Sequence, residues 1–475
     1  MSSVRTPRQE RAAWLALWVI VGATTMVALD TTIVNVALHQ IAVDLHSGAR
    51  IEWVVTAYLL AVCVSQPASG WLADRYGRKV VFLTSLVAFT VASAGCALAP
   101  SLGLLVAGRV VQGLGGGALI PVGMAMVLGL FPRERHGRAI GIWGLAGMLA
   151  PAIGPTLGGW LVTAVSWHWL FLINVPIGVV TFCFGLRLLP ESGERHHRPF
   201  DGVGLGLGCG GLSLAVLGLS EANEWGWGSL ATIGCLIAGA VLVAGFIVHE
   251  LRVAHPLIEL RMFREHTFSI AMSVMALVFV AQFARLVFIP LQLEGLRGES
   301  ALKVGLLFLP AALVAALAMT AGGRIVDRIG PRLPVVVGAA LMGVALFAFA
   351  NLELDTPLPL IAVFLAIQGF GFGLLTPPVL VAGLSDLPPH LVSQGTAVRS
   401  LLNQVSGAIA VALLGAVVAT SAGAHPTPTE SQSAYNNAFA LAAFGVLIAL
   451  ALATRLPRRG PTREIEHLEE ALVLE

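Results

Sequence analysis

The sequence predicts an all-α membrane protein: 14 transmembrane helices, arranged as two six-helix pseudosymmetric bundles with an inserted helix pair. Three observations predict it. The first is composition: of 475 residues 57% are apolar and 11% charged, with a mean hydropathy of +0.85. A water-soluble domain does not reach that hydropathy. The second is the recurrence of uncharged stretches of roughly the 20 residues that cross a bilayer as a helix. The third is the placement of arginine and lysine, which cluster at every second connection, as cytoplasmic loops do.

A charge at mid-bilayer costs about 2.5–3.5 kcal/mol, so charges mark the limits of the spans. They fall at 14–38, 53–73, 80–99, 102–128, 139–162, 169–189, 202–219, 229–248, 268–291, 304–323, 333–352, 358–384, 400–420 and 436–454. The uncharged run 139–186 is too long for one crossing, and Ser166-Trp167-His168-Trp169 supplies a turn that divides it. With the N-terminus inside, 23 of the 28 basic residues lie on the cytoplasmic side. Arg50, Arg297 and Lys303 lie outside, and Arg109 and Arg285 fall within spans. Both termini are therefore expected in the cytoplasm, and the tail 455–475 with them. The run 12–38 follows Arg5, Arg8 and Arg11 without a small-residue cleavage site, so it reads as a retained first helix.

Several functions are excluded by composition. A net charge of +2 is too small for electrostatic binding of nucleic acid. Lys79 and Lys303 are the only lysines, and neither sits in a phosphate-binding loop, so no ATP site is expected. Cys63, Cys96, Cys183, Cys209 and Cys235 lie in apolar runs without paired spacing, and the histidines lack ligand spacing, so no metal or cofactor is implied. A membrane-embedded enzyme would need a catalytic constellation, and the sequence offers no HExxH, no paired intramembrane acids and no sizeable extramembrane domain.

The chain repeats itself. Gln112 to Pro121 matches Gln368 to Pro377 at six of ten positions, and Asp74-Arg75-Tyr76-Gly77-Arg78 returns as Asp327-Arg328-Ile329-Gly330 with Arg332 following. The offsets, 256 and 253, each span eight predicted helices, so both copies insert the same way. The expected domains are residues 1–189 and 268–454 as the two six-helix halves, 190–267 as linker and inserted helices 7 and 8, and 455–475 as the tail.

These features resemble the fourteen-helix drug:proton antiporter branch of the major facilitator superfamily. The first helix carries Leu29-Asp30-Thr31-Thr32-Ile33-Val34-Asn35-Val36-Ala37-Leu38, with His39 where the family has proline. After helix 2, Gly70, Asp74, Arg75, Gly77, Arg78 and Lys79 match the superfamily loop motif, and helix 4 bears Arg109, Gln112 and Gly113. Helix 5 resembles the antiporter motif through Gly154-Pro155-Thr156-Leu157-Gly158-Gly159, with Ala150 in place of a glycine, and Leu172-Ile173-Asn174-Val175-Pro176 follows. The resemblance implies a gating function for the loop after helix 2 and for its second copy at Asp327 and Arg328. A tight positive-inside turn, and close helix packing in the antiporter motif, account for the same residues without coupling.

Three ionisable residues lie inside spans: Asp30, Arg109 and Arg285. Counting at about 1.5 Å per residue places them in one layer, ~9–12 Å from the outer edge. Asp30 is the only acid there and is the expected proton carrier, because low polarity favours a neutral carboxyl group and a nearby guanidinium favours a charged one. A structural acid in an interrupted helix is the other reading. Arg109 is its expected partner, with Gln112 on the same face, unless Arg109 reaches the outer interface instead. Arg285 pairs with Asp30, binds an anionic substrate group, or reaches that interface; Gln282, three residues before it, favours a polar face. Asn35, Gln112, Gln282 and Arg285 are the expected substrate-cavity residues. The expected function is proton-coupled multidrug efflux of hydrophobic or amphipathic small molecules by alternating access. The alternative is transport of an anionic metabolite, lipid or siderophore on the same scaffold. The expected setting is the plasma membrane, with the bilayer, protons and a small-molecule substrate as the partners of a monomer.

Overall fold

A computed structural model describes residues 7–46, 50–51, 53–132, 135–191, 201–220, 225–226, 228–253, 256–385, 387–388, 391–422 and 427–458. Helix is the only regular secondary structure among them. The helices are α1 (Pro7–Ile33), α2 (Leu38–Asp44), α3 (Trp53–Tyr76), α4 (Arg78–Ala97), α5 (Leu102–Leu130), α6 (His136–Ala164), α7 (His168–Leu172), α8 (Asn174–Leu188) and α9 (Gly202–Ser220). They continue as α10 (Leu230–Arg252), α11 (His266–Arg297), α12 (Ala301–Ile329), α13 (Arg332–Phe349), α14 (Leu358–Ser385), α15 (Val392–Ile409), α16 (Gly415–Ala422) and α17 (Pro428–Ala453). Among the described residues, 11 helical segments are long and apolar enough to cross a membrane. The other three expected spans fall on α6, on α9 and on α15 with α16, which a π-helical turn joins at Ala410–Leu414. The chain is a multi-pass membrane protein.

Several helices overrun their expected limits, as at Tyr76, Arg297 and Ile329, and the first span breaks at a 3-10 turn, Val34–Ala37. Helix α15 begins at Val392, so Arg399 lies inside a helix rather than in the loop before one. A charge limits how deep a helix sits in the bilayer, not where its backbone hydrogen bonds start. The turn at Ser166 is present, yet Trp167 is buried and donates from Nε1 to Asp44 Oδ2 at 2.8 Å, so the indole ties two connections together.

The repeated glycines explain how the helices pack. Any Cβ at Gly113 would lie 2.5 Å from the Tyr58 carbonyl oxygen, and one at Gly117 2.9 Å from that of Val62, both on α3. One at Gly115 would lie 2.7 Å from the Ser85 carbonyl oxygen on α4. The second copy repeats this: Gly369 and Gly373 press on the carbonyl oxygens of Ala311 and Ala315 in α12, and Gly371 on that of Gly338 in α13. Small residues let helix backbones approach where lipid supplies no hydrophobic drive for association. In each copy one glycine-faced helix, α5 or α14, is thus wedged against two neighbours, and its glutamine at the head of the motif is carried inward.

The described chain forms two compact units. One comprises residues 1–131, 153–261 and 388–401; the other comprises 132–152, 262–387 and 402–475.

Candidate functional site: a buried polar network around Asp30

Asp30 lies near the C-terminal end of α1, just before the helix tightens to a 3-10 turn at Val34–Ala37. It is 0% exposed, and Arg109 and Gln112 on α5 are 1% and 0% exposed. Arg109 Nη1 donates to Asp30 Oδ2 at 2.5 Å and to Gln112 Oε1 at 2.7 Å. Gln112 Nε2 donates to Asp30 Oδ1 at 2.8 Å and to Ser93 Oγ on α4 at 2.7 Å. Asn174 Nδ2, from the first turn of α8, reaches Asp30 Oδ1 at 3.1 Å. The Arg109 guanidinium also donates through Nε to the Val54 carbonyl oxygen at 3.0 Å and lies over the Tyr58 ring at 4.0 Å. Five helices of one unit thereby meet at one carboxylate.

Asp30, Arg109 and Gln112 come together as their positions suggested, and Arg109 turns inward rather than to the interface. Charge-assisted bonds of this kind are stronger than neutral ones, and a buried pair survives only when its remaining donors and acceptors are also used. Ser93, Tyr58 and Asn174 were not expected in the site. Asn174 stood in the Leu-Ile-Asn-Val-Pro stretch, which was the available signal; Ser93 and Tyr58 carried none. Asn35 belongs to the 3-10 turn, and its side chain lies outside the described residues, as do those of His39 and Pro155.

The glycines of α6, the fifth expected span, pack directly beside this network. A Cβ at Gly154 would lie 2.2 Å from Thr32 Oγ1, and one at Gly158 2.9 Å from Ile33 Cγ1, two and three residues past Asp30. Gly159 is part-buried on the same helix.

The loop residues form backbone anchors. Gly77 has φ +94° and its repeat mate Gly330 φ +84°, conformations open at low cost only to glycine. Arg78 Nη1 donates to the Ala125 carbonyl oxygen at 3.1 Å, and Lys79 Nζ to that of Leu186 at 3.0 Å. Arg75 packs over Trp71 at 5.4 Å, Asp74 is part-buried, and Gly70 faces the Gln394 side chain of α15. In the second copy Asp327 accepts from the backbone N–H groups of Gly137 and Arg138 at 3.0 and 3.2 Å, holding the first turn of α6, while Arg328 is exposed. A carboxylate suits a helix N-terminus because unpaired N–H groups and the helix dipole both favour it.

The other unit treats the equivalent positions differently. Gln368, the mate of Gln112, donates only to the Ala281 carbonyl oxygen, at 3.2 Å, and its Oε1 has no partner among the described residues. Arg285 is 8% exposed, lies over the Phe308 ring at 5.2 Å and has no hydrogen bond or ion pair among the described residues. Gln282 Oε1 and both amide atoms of the buried Gln292 are likewise without partners.

A membrane-embedded bundle built on a duplicated Gln-Gly-x-Gly-x-Gly helix, with an ion pair buried in its first copy, has the build of a transporter. The sequence matches the Major Facilitator Superfamily profile over residues 20–411, and the chain belongs to that family. It is similar to the multidrug resistance protein B homolog of Mycobacterium tuberculosis, 35% identical over 407 residues that cover 84% of this chain and 75% of the relative. It is also similar to the tetracenomycin C resistance and export protein of Streptomyces glaucescens, 34% identical, covering 86% and 77%. Among solved structures, a proton:xylose symporter of the superfamily shares the fold with a TM-score of 0.62 at 14% identity, covering 91% of this chain and 95% of that one.

Proposed function

We propose that this chain exports hydrophobic or amphipathic small molecules from the cell, driven by inward proton flow, with Asp30 as the group that carries the proton. The observation that carries this reading is the network at Asp30: the carboxylate is fully buried and bonded to Arg109, Gln112 and Asn174. A proton added to Asp30 cancels its charge and removes the main attraction to Arg109. The guanidinium then lacks its counter-ion, α1 is released from α5, and the packed glycines Gly154 and Gly158 pass that movement to α6. Loss of the proton on the opposite side restores the pair. Two discrete packings of the same helices, biased by one proton, are what alternating access requires.

On this reading the protein acts as a monomer in the plasma membrane, with 14 spans, two six-helix halves and both termini in the cytoplasm. Asn35, Gln112, Gln282 and Arg285 contribute polar groups to an otherwise apolar substrate path. The two loop motifs, Gly70 to Lys79 and Asp327 with Arg328, latch the cytoplasmic face by holding helix ends. The names of the relatives, multidrug resistance and tetracenomycin export, support the substrate class. In everted vesicles holding a pH gradient, exported substrate dissipates the gradient with the wild type and not with Asp30→Asn. Equal dissipation by both sinks the reading.

A further inference from the structure

The geometry points to a carboxylate-binding subsite at Arg285, so that the exported molecules include amphipathic carboxylates. This rests on the reading that the chain is an exporter, but not on how export is powered.

Arg285 is a guanidinium in an apolar interior without a counter-charge among the described residues. Its Nε, a rigid donor, has no partner, and the ring of Phe308 covers one face of the group. Burying a cation in that way is costly unless an anion completes it. A water molecule satisfies N–H groups but leaves the charge, whereas a carboxylate accepts two parallel N–H bonds and neutralises it. Six of the eleven buried side-chain polar atoms without a partner among the described residues lie on α11 and α14. Gln282, Arg285 and Gln292 lie on one face of α11, separated by three and seven residues, and Gln368 on α14 bonds to the carbonyl one turn below Arg285. Native interiors leave few polar atoms unsatisfied, so several within one packed helix pair mark a place that a ligand completes.

The arrangement also gives the ligand its shape. The carboxylate sits at Arg285 and beside the amide of Gln282. Phe288 and Ile289, buried on the same stretch of α11, are the apolar side chains next to it against which the body of such a molecule packs once the helices part. About 10 Å further, at a rise of 1.5 Å per residue, Gln292 offers a donor and an acceptor to a second polar group. The Asp30 site in the other unit has no such vacancy of charge, because Arg109 is already neutralised.

The test uses the purified full-length protein and two probes of nearly equal size: rhodamine B, which bears a free carboxylate, and its ethyl ester, which does not. Binding is read by fluorescence polarisation in detergent. Arg285→Gln is expected to weaken rhodamine B binding tenfold or more while leaving the ester within twofold, and Arg285→Lys to restore part of the difference. Thermal melting in detergent reports whether each variant is folded. Equal weakening of both probes, no change in either, or no binding of rhodamine B by the wild type overturns the subsite. Asp30→Asn separates this from the coupling mechanism: it is expected to keep the preference for rhodamine B in detergent and to lose uphill export of it from proteoliposomes. Continued uphill export by Asp30→Asn would overturn the coupling mechanism and leave the subsite standing.

Discussion

The two copies of one repeat handle a buried arginine in opposite ways. In the first, Arg109 gives its charge to Asp30, its Nε to a backbone carbonyl and its face to Tyr58, and Gln112 bridges the pair to Ser93. In the second, the glutamine is retained as Gln368 and the wedged glycines are retained around it, yet Arg285 lies over the Phe308 ring with no ion pair among the described residues. Offset 253 maps Asp30 to Phe283 and Arg285 to Thr32, so neither charge is inherited from the duplication. The shared geometry is the helix packing. What each copy does with its interior is set by single residues placed on that packing, one neutralised from within and the other open to neutralisation from outside.

Substitution by leucine separates the two arginines most widely. Arg109→Leu strands a buried carboxylate and is expected to cost about 3–5 kcal/mol of stability, whereas Arg285→Leu strands no partner and is expected to be neutral or stabilising. Melting in detergent reads both. A comparable loss at position 285 would mean that its charge is already compensated in the resting protein. A smaller contrast is expected between the glutamines. Gln112→Ala removes bonds to Asp30, Arg109 and Ser93 and should cost about 1–3 kcal/mol, against about 1 kcal/mol for Gln368→Ala, which removes one bond to a backbone carbonyl. The smallest contrast belongs to the loops. Gly77→Ala and Gly330→Ala each force a side chain into a positive-φ conformation, so both should cost a similar ~1–3 kcal/mol. Here a difference between the copies, not a likeness, would be the surprise, since the turn is the element most fully duplicated.

How much of this the chain reveals unaided differs by level. Span positions follow from where charge is absent, and helices occur at each of them, because a bilayer imposes on the sequence a one-dimensional rule that needs no knowledge of neighbours. The duplication is visible for the same reason: glycines needed for backbone contact and a turn residue at positive φ tolerate little replacement. Asp30, Arg109 and Arg285 stand out by rarity alone. Arg399 shows the limit of that rule, since a charged residue can belong to a helix whose other side chains are polar and packed. Ser93 and Tyr58 show another, for an ordinary serine hydroxyl or tyrosine ring in an apolar run announces nothing until a facing helix brings it Gln112 or Arg109.

The sequence by itself determined the class, the repeat, the rare buried charges and the membership in a transporter family, all properties that can be counted along one dimension. Only the tertiary structure decided which of two arginines neutralises Asp30, that Asn174 and, through Gln112, Ser93 join its network, and that Arg285 has no counter-charge among the described residues. Those outcomes depend on distances of a few ångströms between helices far apart in the chain, and such distances are fixed by how glycine-faced backbones pack rather than by any local pattern of residues.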